Sequence, residues 1–160
     1  MMQKIVVMPD SFKGTVPSTV FCAMAADLIS RYLPGCSVVS IPVADGGEGS
    51  VDCFLIALGG QRIEVPVQGP LFEPISSFFG CLPDGTAVIE MAAAAGLPQV
   101  AGRENPLQTT TYGVGQLIAA ALDRGCRKII LGLGGSCTND GGCGAAAALQ
   151  MTRHRHRVDV

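Results

Sequence analysis

Three times along this chain a short apolar run ends in an acidic, glycine-containing bend, and each bend gives way to residues at helical spacing. IVVM (5–8) runs into DSFKG (10–14), SVVSIPVA (37–44) into ADGGEG (44–49), and KIILGLG (128–134) into GSCTNDGG (135–142). Short, unbroken apolar runs suit strands buried on both faces of a sheet, because a strand with one face in water alternates polar and apolar residues. After the first bend, Val20, Met24 and Leu28 with Phe21 and Ala25 keep helical spacing until Pro34-Gly35, with Pro17 in the first turn and Thr15 as a candidate cap. SVDCFLIAL (50–58) follows the second bend and stops at Gly59-Gly60, and GAAAALQM (144–151) follows the third. Strand, bend and helix in repetition predict an α/β fold with a parallel sheet. Such sheets bind ligands outside the carboxyl ends of their strands, where all three bends fall.

Between residues 61 and 91 the pattern changes. RIEVPV alternates with period two, and ISSFFGCL and TAVIEM flank Pro83-Asp84-Gly85, which predicts an antiparallel hairpin. A linker (96–106) then leads to TTYGVGQLIAAALDRG, read as a capped helix. The expected organisation is a parallel α/β part over 1–65 plus 101–160 and a hairpin-containing part of a second, smaller domain over 66–100.

Composition narrows the chemistry. Of the 160 residues, 48% are hydrophobic and 15% charged, yet no apolar stretch is long enough for a membrane span. The opening MMQKIVVMPD lacks the apolar core of a secretory signal, so the expected location is cytoplasmic. A net charge of -2 provides no basic face for nucleic acid. Seven cysteines without CxxC spacing point to reduced, mostly buried thiols rather than a disulfide framework or a zinc site. Both histidines, His154 and His156, lie in the closing TRHRHRVDV, which is read as a frayed terminus rather than a metal or nucleic-acid contact. The body of the chain therefore offers carboxylates, lysine and backbone amides as its reactive groups.

The bends carry those groups. GLGGSCTNDGG is no Walker loop, since the Gly-Lys pair is missing, and it misses the dinucleotide fingerprint because Cys137 stands where the third glycine belongs. Amides at a strand end and helix start can still hold an anion, and Asp140 beside them can hold a metal or accept a proton. Lys13, next to Asp10 and Ser11, can screen phosphate as a point cation. Asp45 and Glu48 flank two glycines in a bend too poor in oxygens for calcium but suited to magnesium, which takes one or two carboxylates together with substrate oxygens.

Six stretches taken together, VVMPDSFKG (6–14), PVADGGEGSVD (42–52), GPLFEPISSFFG (69–80), AVIEMAAAAGL (87–97), NPLQTTTYGVGQLI (105–118) and IILGLGGSCTNDGG (129–142), resemble the signature blocks of the bacterial glycerate kinase family in order and spacing. The resemblance covers about residues 4 to 150. It implies two α/β domains, one with a Rossmann-like parallel sheet and a smaller antiparallel α+β one, with phosphoryl transfer from ATP, with Mg2+, to a hydroxyl of D-glycerate, usually giving 2-phosphoglycerate. Mapped residue by residue, it implies substrate contacts at Asp10, Ser11, Gly46, Gly47, Glu48 and Gly49, and phosphate contacts at Gly134, Gly135, Ser136, Thr138, Asn139 and Gly141. Lys13, Asp45 and Asp140 become the catalytic candidates, with Asp45 and Asp140 also the candidates for metal. Phosphoryl transfer needs positioning and charge neutralisation more than covalent chemistry.

Family chains continue well past the SCTNDGG block, and the last residues here match nothing in them. The expectation is a truncated chain whose uncovered apolar faces favour self-association, a homo-oligomer included. Two alternatives accompany the kinase reading: a non-catalytic chain that binds nucleotide or glycerate weakly, and a nicotinamide-dependent oxidoreductase resting on the glycine loop alone.

Overall fold

A computed structural model describes residues 3–156, with side-chain detail through Gln150. The chain divides into two compact units, the first ending at Asp45 and the second beginning at Gly46.

The first unit is strand, helix, strand. β1 (Gln3–Val7) and β2 (Cys36–Ser40) pair in parallel, Val6 opposite Val39, and α1 (Ser18–Tyr32) connects them. Both strands and the helix were legible from their apolar patterning, but the cap was not. Pro17 is the N-cap and has no side-chain hydrogen bond, while Thr15 spends its N–H on the carbonyl of Phe12. The faces of α1 also differ from the simplest expectation. Ser18 and Cys22 are buried, whereas Val20, Met24 and Leu28 are 46%, 55% and 50% exposed.

The second unit begins with α2 (Ser50–Leu58), stopped by Gly59 and Gly60 at positive φ, a conformation that costs a residue without Cβ nothing. Strands β3 (Gln61–Gln68), β4 (Pro74–Cys81), β5 (Thr86–Glu90) and β6 (Lys128–Gly132) form one sheet in that order. The β3–β4 and β4–β5 pairs are antiparallel, and the expected turn is closed by Leu82 N–H to the Thr86 carbonyl at 2.9 Å with the Asp84 carboxylate accepting the Thr86 N–H. β6 pairs with β5 in parallel, Glu90 opposite Gly132, so the strand before the long glycine loop joins the sheet of the hairpin. Pairing between segments some 40 residues apart leaves no mark on local periodicity.

α3 (Ala92–Ala95) and a 3₁₀ turn (Leu97–Val100) follow β5, α4 (Tyr112–Asp123) precedes β6, and α5 (Cys143–His156) closes the unit. The helix expected to start at Gly144 runs on to His156, into the basic segment; the contacts expected of the histidine and arginine tail lie outside the described side chains. The main core gathers Phe79, Ile89, Val114, Leu117 and Ala121, between α4 and the sheet. Phe79, Ile89 and Leu117 are fully buried, each contributing about 1.5–3 kcal/mol by leaving water. All seven cysteines are free: Cys22, Cys126 and Cys137 are buried and Cys143 is exposed. No helix among the described residues is long and apolar enough to cross a membrane.

Candidate functional site

In the first unit the chain that leaves β2 keeps running beside the chain that leaves β1. Ile41 N–H donates to the Val7 carbonyl at 2.8 Å and Val43 N–H to the Pro9 carbonyl at 3.2 Å. Ser18, buried at the start of α1, ties the two together: its hydroxyl donates to the Pro9 carbonyl at 2.7 Å and accepts the Val43 N–H at 3.2 Å. The bend holding Asp10, Ser11 and Lys13 and the stretch ending in Asp45 thus leave the same end of a parallel strand pair. Within the first bend Asp10 accepts the Ser11 N–H at 2.6 Å, and Phe12 rests on Phe21 of α1 with ring centroids 5.2 Å apart. Asp10, Lys13 and Asp45 are exposed.

In the second unit the other two glycine bends meet backbone to backbone. Gly134 N–H donates to the Gly46 carbonyl at 3.0 Å. A Cβ on Gly134 would lie 2.6 Å from the Gly47 nitrogen, and one on Gly132 would collide with the Gly46 carbonyl oxygen. The glycines at 132 and 134 are therefore set by the close approach of two chain segments. Ser136 and Thr138 share a hydroxyl hydrogen bond at 2.9 Å, and the Ser136 oxygen accepts the Thr138 N–H at 3.1 Å. Cys137, at the position that breaks the dinucleotide fingerprint, is buried and donates its N–H to the Ala95 carbonyl at 2.9 Å, so this loop is braced against α3.

Asp140 has a dense set of partners. One oxygen accepts the N–H of Thr111 at 2.8 Å, the N–H of Gly144 at 3.1 Å and the Thr111 hydroxyl at 2.9 Å; the other accepts the N–H of Gly142 at 3.0 Å. Burial pushes its pKa up, but the hydrogen bonds from Thr111, Gly142 and Gly144 outweigh that and hold it below the ordinary value. A carboxylate so occupied is a clamp between the starts of α4 and α5.

Glu90 was not among the residues expected at the site. It closes the buried strand β5, is only 2% exposed, and accepts the Val51 N–H at 2.7 Å at the start of α2. Burial raises its pKa, the amides of Val51 and Gly49 pull it back, and Asp52 raises it further. The available signal was a single acid closing the otherwise apolar run TAVIE (86–90). Of the expected residues, then, Asp10, Ser11, Lys13 and Asp45 belong to the first unit. Gly46, Gly47, Glu48, Gly49, Gly134, Gly135, Ser136, Thr138, Asn139, Asp140 and Gly141 belong to the second.

Comparison with known proteins adds the context. A profile of the Glycerate kinase family matches residues 5–158. The chain is 51% identical over 152 residues to a protein of Bacillus subtilis (strain 168) named glycerate kinase, covering 91% of this chain and 39% of that one. It is 45% identical over 148 residues to a protein of Escherichia coli (strain K12) named glycerate 2-kinase, covering 91% and 39%. A solved structure from Salmonella typhimurium LT2, of a protein assigned as glycerate kinase 2, superposes with a TM-score of 0.75 at 43% identity, over 93% of this chain and 40% of that one. The chain spans about two-fifths of the length of these relatives.

Proposed function

This chain belongs to the glycerate kinase family, and from that premise we propose that the protein of which these residues form the matching part transfers the terminal phosphoryl group of ATP to a hydroxyl of D-glycerate, 2-phosphoglycerate being the favoured product. In that step the glycerate oxygen forms a bond to phosphorus, the bond to the bridging oxygen of ADP breaks, and the hydroxyl proton leaves to a base. The observation that carries the reading is the Gly46–Gly134 contact, which brings the backbones of two acid-bearing glycine bends together with no side chain in the way. That is the kind of backbone-lined edge on which a small phosphorylated ligand is held.

The roles follow from exposure and hydrogen bonding. Lys13 and Ser11 are offered to phosphate or carboxylate oxygens, Lys13 as a point cation. Asp45, exposed and leaving the same strand end as Asp10, is proposed as the base, and Asp140, hydrogen-bonded to Thr111, Gly142 and Gly144, as the residue that fixes the glycine loop. Ser136, Thr138 and the amides of Gly135, Asn139 and Gly141 are proposed for phosphate contact. Among the described residues no group of three or more acidic, cysteine or histidine side chains could hold a metal by itself. Magnesium does not require one, since it is normally held by one or two carboxylates and phosphate oxygens. Asp45 and Glu48 fit that donor set. When bound, the ion would neutralise charge on the phosphate oxygens. The domain limits 1–65 plus 101–160 and 66–100 are proposed for the longer protein.

An assay coupled to ADP release, run with and without D-glycerate on this chain and on a full-length relative, tests the reading. Glycerate-dependent ADP supports it, and ADP release indifferent to glycerate in both proteins ends it. The two-fifths coverage favours a second reading for the 160 residues alone: they bind glycerate or nucleotide without turning it over, which calorimetry on the isolated chain would show. Reduction of a nicotinamide cofactor would instead revive the oxidoreductase alternative, which the braced Cys137 and the family match leave unsupported.

A further inference from the structure

The start of α2 lacks a cap of its own. Its N-cap is Gly49, at φ 91°, with no side chain to accept the first amides. The nearest polar side chain, Ser50, turns away and donates its hydroxyl to the Gly47 carbonyl at 2.8 Å. The Ser50 N–H has only a long bond, 3.3 Å, to the Gly47 carbonyl, and amides at the start of a nine-residue helix that lack a close acceptor attract anions, because the amide dipoles add to their N–H groups. Here the acceptor arrives from a distant part of the chain: Glu90 Oε1 takes the Val51 N–H at 2.7 Å. The carboxylate reaches that point because Val51 packs against Val88 and Leu82 and pins α2 to β5. Asp140 does the same for α4 and α5 with Thr111, Gly142 and Gly144. The helix starts beside the glycine bends are thus occupied by the protein's own carboxylates.

We infer that Glu90 is a built-in anion, a positioning residue whose carboxylate fills the start of α2, fixes the Gly46–Gly49 bend beside Gly132 and Gly134, and keeps phosphates and carboxylates from solution off the α2 amides. This refines the phosphoryl-transfer reading, on which its functional meaning rests. Gly46, Gly47 and Gly49 act as bare backbone that lets the two bends meet, and the anionic groups of the substrates are bound by other amides and by side chains.

The test uses amide NMR spectra of the 160-residue chain, with inorganic phosphate and then acetate as probes. In the wild type the Gly49, Ser50 and Val51 amides do not move with either anion. In Glu90→Ala the vacated slot makes these amides shift saturably with phosphate, and the Val51 amide exchanges about tenfold faster or more, since a hydrogen bond to a charged acceptor has been lost. Acetate restores its protection. Glu90→Gln keeps an acceptor of the same shape and shows no anion response. A wild-type response to phosphate at these three amides overturns the inference, as does an anion-blind Glu90→Ala or a Glu90→Gln that behaves like Glu90→Ala. Should Glu90→Ala not fold, Glu90→Ser takes its place with the same expected response, while the wild-type titration decides independently. D-glycerate is titrated alongside. A chain that shows the anion pattern keeps the role of Glu90 whether or not it responds to glycerate, and the kinase reading falls separately, if a full-length relative titrated alongside ignores glycerate as well.

Discussion

Asp140 and Thr111, 29 residues apart, are joined twice: the carboxylate accepts both the backbone N–H and the hydroxyl of Thr111, at 2.8 and 2.9 Å. Neither α4 nor its N-cap residue provides a side-chain cap of its own, so this pair fixes where α4 begins relative to the glycine loop. Asp140→Asn places an NH2 against N–H donors and is expected to cost about 3 kcal/mol, within the range for a charged acceptor removed from several donors. Because the folded pKa lies below the ordinary 3.8, the contribution of the ionised form is present above about pH 4 and lost as pH falls through the lowered value. Urea unfolding should therefore show the gap between wild type and variant narrowing on acidification; an unchanged gap from pH 7 to pH 3 would contradict the clamp.

Glu90 titrates in the opposite sense. Its folded pKa is raised above the ordinary 4.5, so its favourable contribution is present below that value and is lost as pH rises through the raised one. Glu90→Gln, which keeps the acceptor and drops the titration, is expected to gain stability relative to wild type as pH rises above the ordinary 4.5. Denaturant midpoints across that range check it. A buried carboxylate that accepts the Val51 N–H at the start of α2 fits a positioning role better than a packing one.

Gly134→Ala puts a methyl 2.6 Å from the Gly47 nitrogen and 2.8 Å from its Cα, both backbone atoms that cannot swing aside. The expected outcome is a loss of about 1–3 kcal/mol as the two bends are forced apart. Differential scanning calorimetry reads the loss. Amide shifts at Gly46 and Gly47, with those of the distant Asp84 turn unmoved, identify its place.

Phe72 is the one non-glycine residue at positive φ among the described residues, at 63°. Its ring is 58% exposed and touches Tyr112 at a centroid distance of 5.7 Å, so little burial offsets the backbone cost. Phe72→Gly should stabilise the chain by about 0.5–1 kcal/mol, the left-handed penalty less the ring contact. The melting temperature should rise by roughly 2–4 °C per kcal/mol at this chain size. An unchanged or lower midpoint would mean that the ring contact outweighs the strain.

Much of the local structure was legible because it is written in spacing. The helix at SVDCFLIAL, the hairpin around Pro83-Asp84-Gly85 and the strand KIILG each follow from periods and punctuation that act within a few residues. Three of the six family blocks contain the acid-bearing glycine bends. What the bends do with their acids was not legible. Asp140 reads as a reactive group in a polar loop, and only the arrival of Thr111 and two glycine amides makes it a clamp. Glu90 reads as the end of a strand, and only the docking of α2 on β5 makes it an anion at a helix start. The apolar stripe of α1 shows the same limit: Val20, Met24 and Leu28 announce a helix, yet Ser18 and Cys22 are the residues it buries.

The sequence by itself determined the order of strands, bends and helices and the family to which they belong, since periodicity, turn chemistry and motif spacing are properties of neighbouring residues. Tertiary structure alone decided that β6 joins the hairpin sheet, that Gly132 and Gly134 exist to admit Gly46 and Gly47, and that two carboxylates cap helices they do not belong to. The reason is physical: which amide meets which carboxylate depends on distances through space between segments tens of residues apart, and those distances are set by packing.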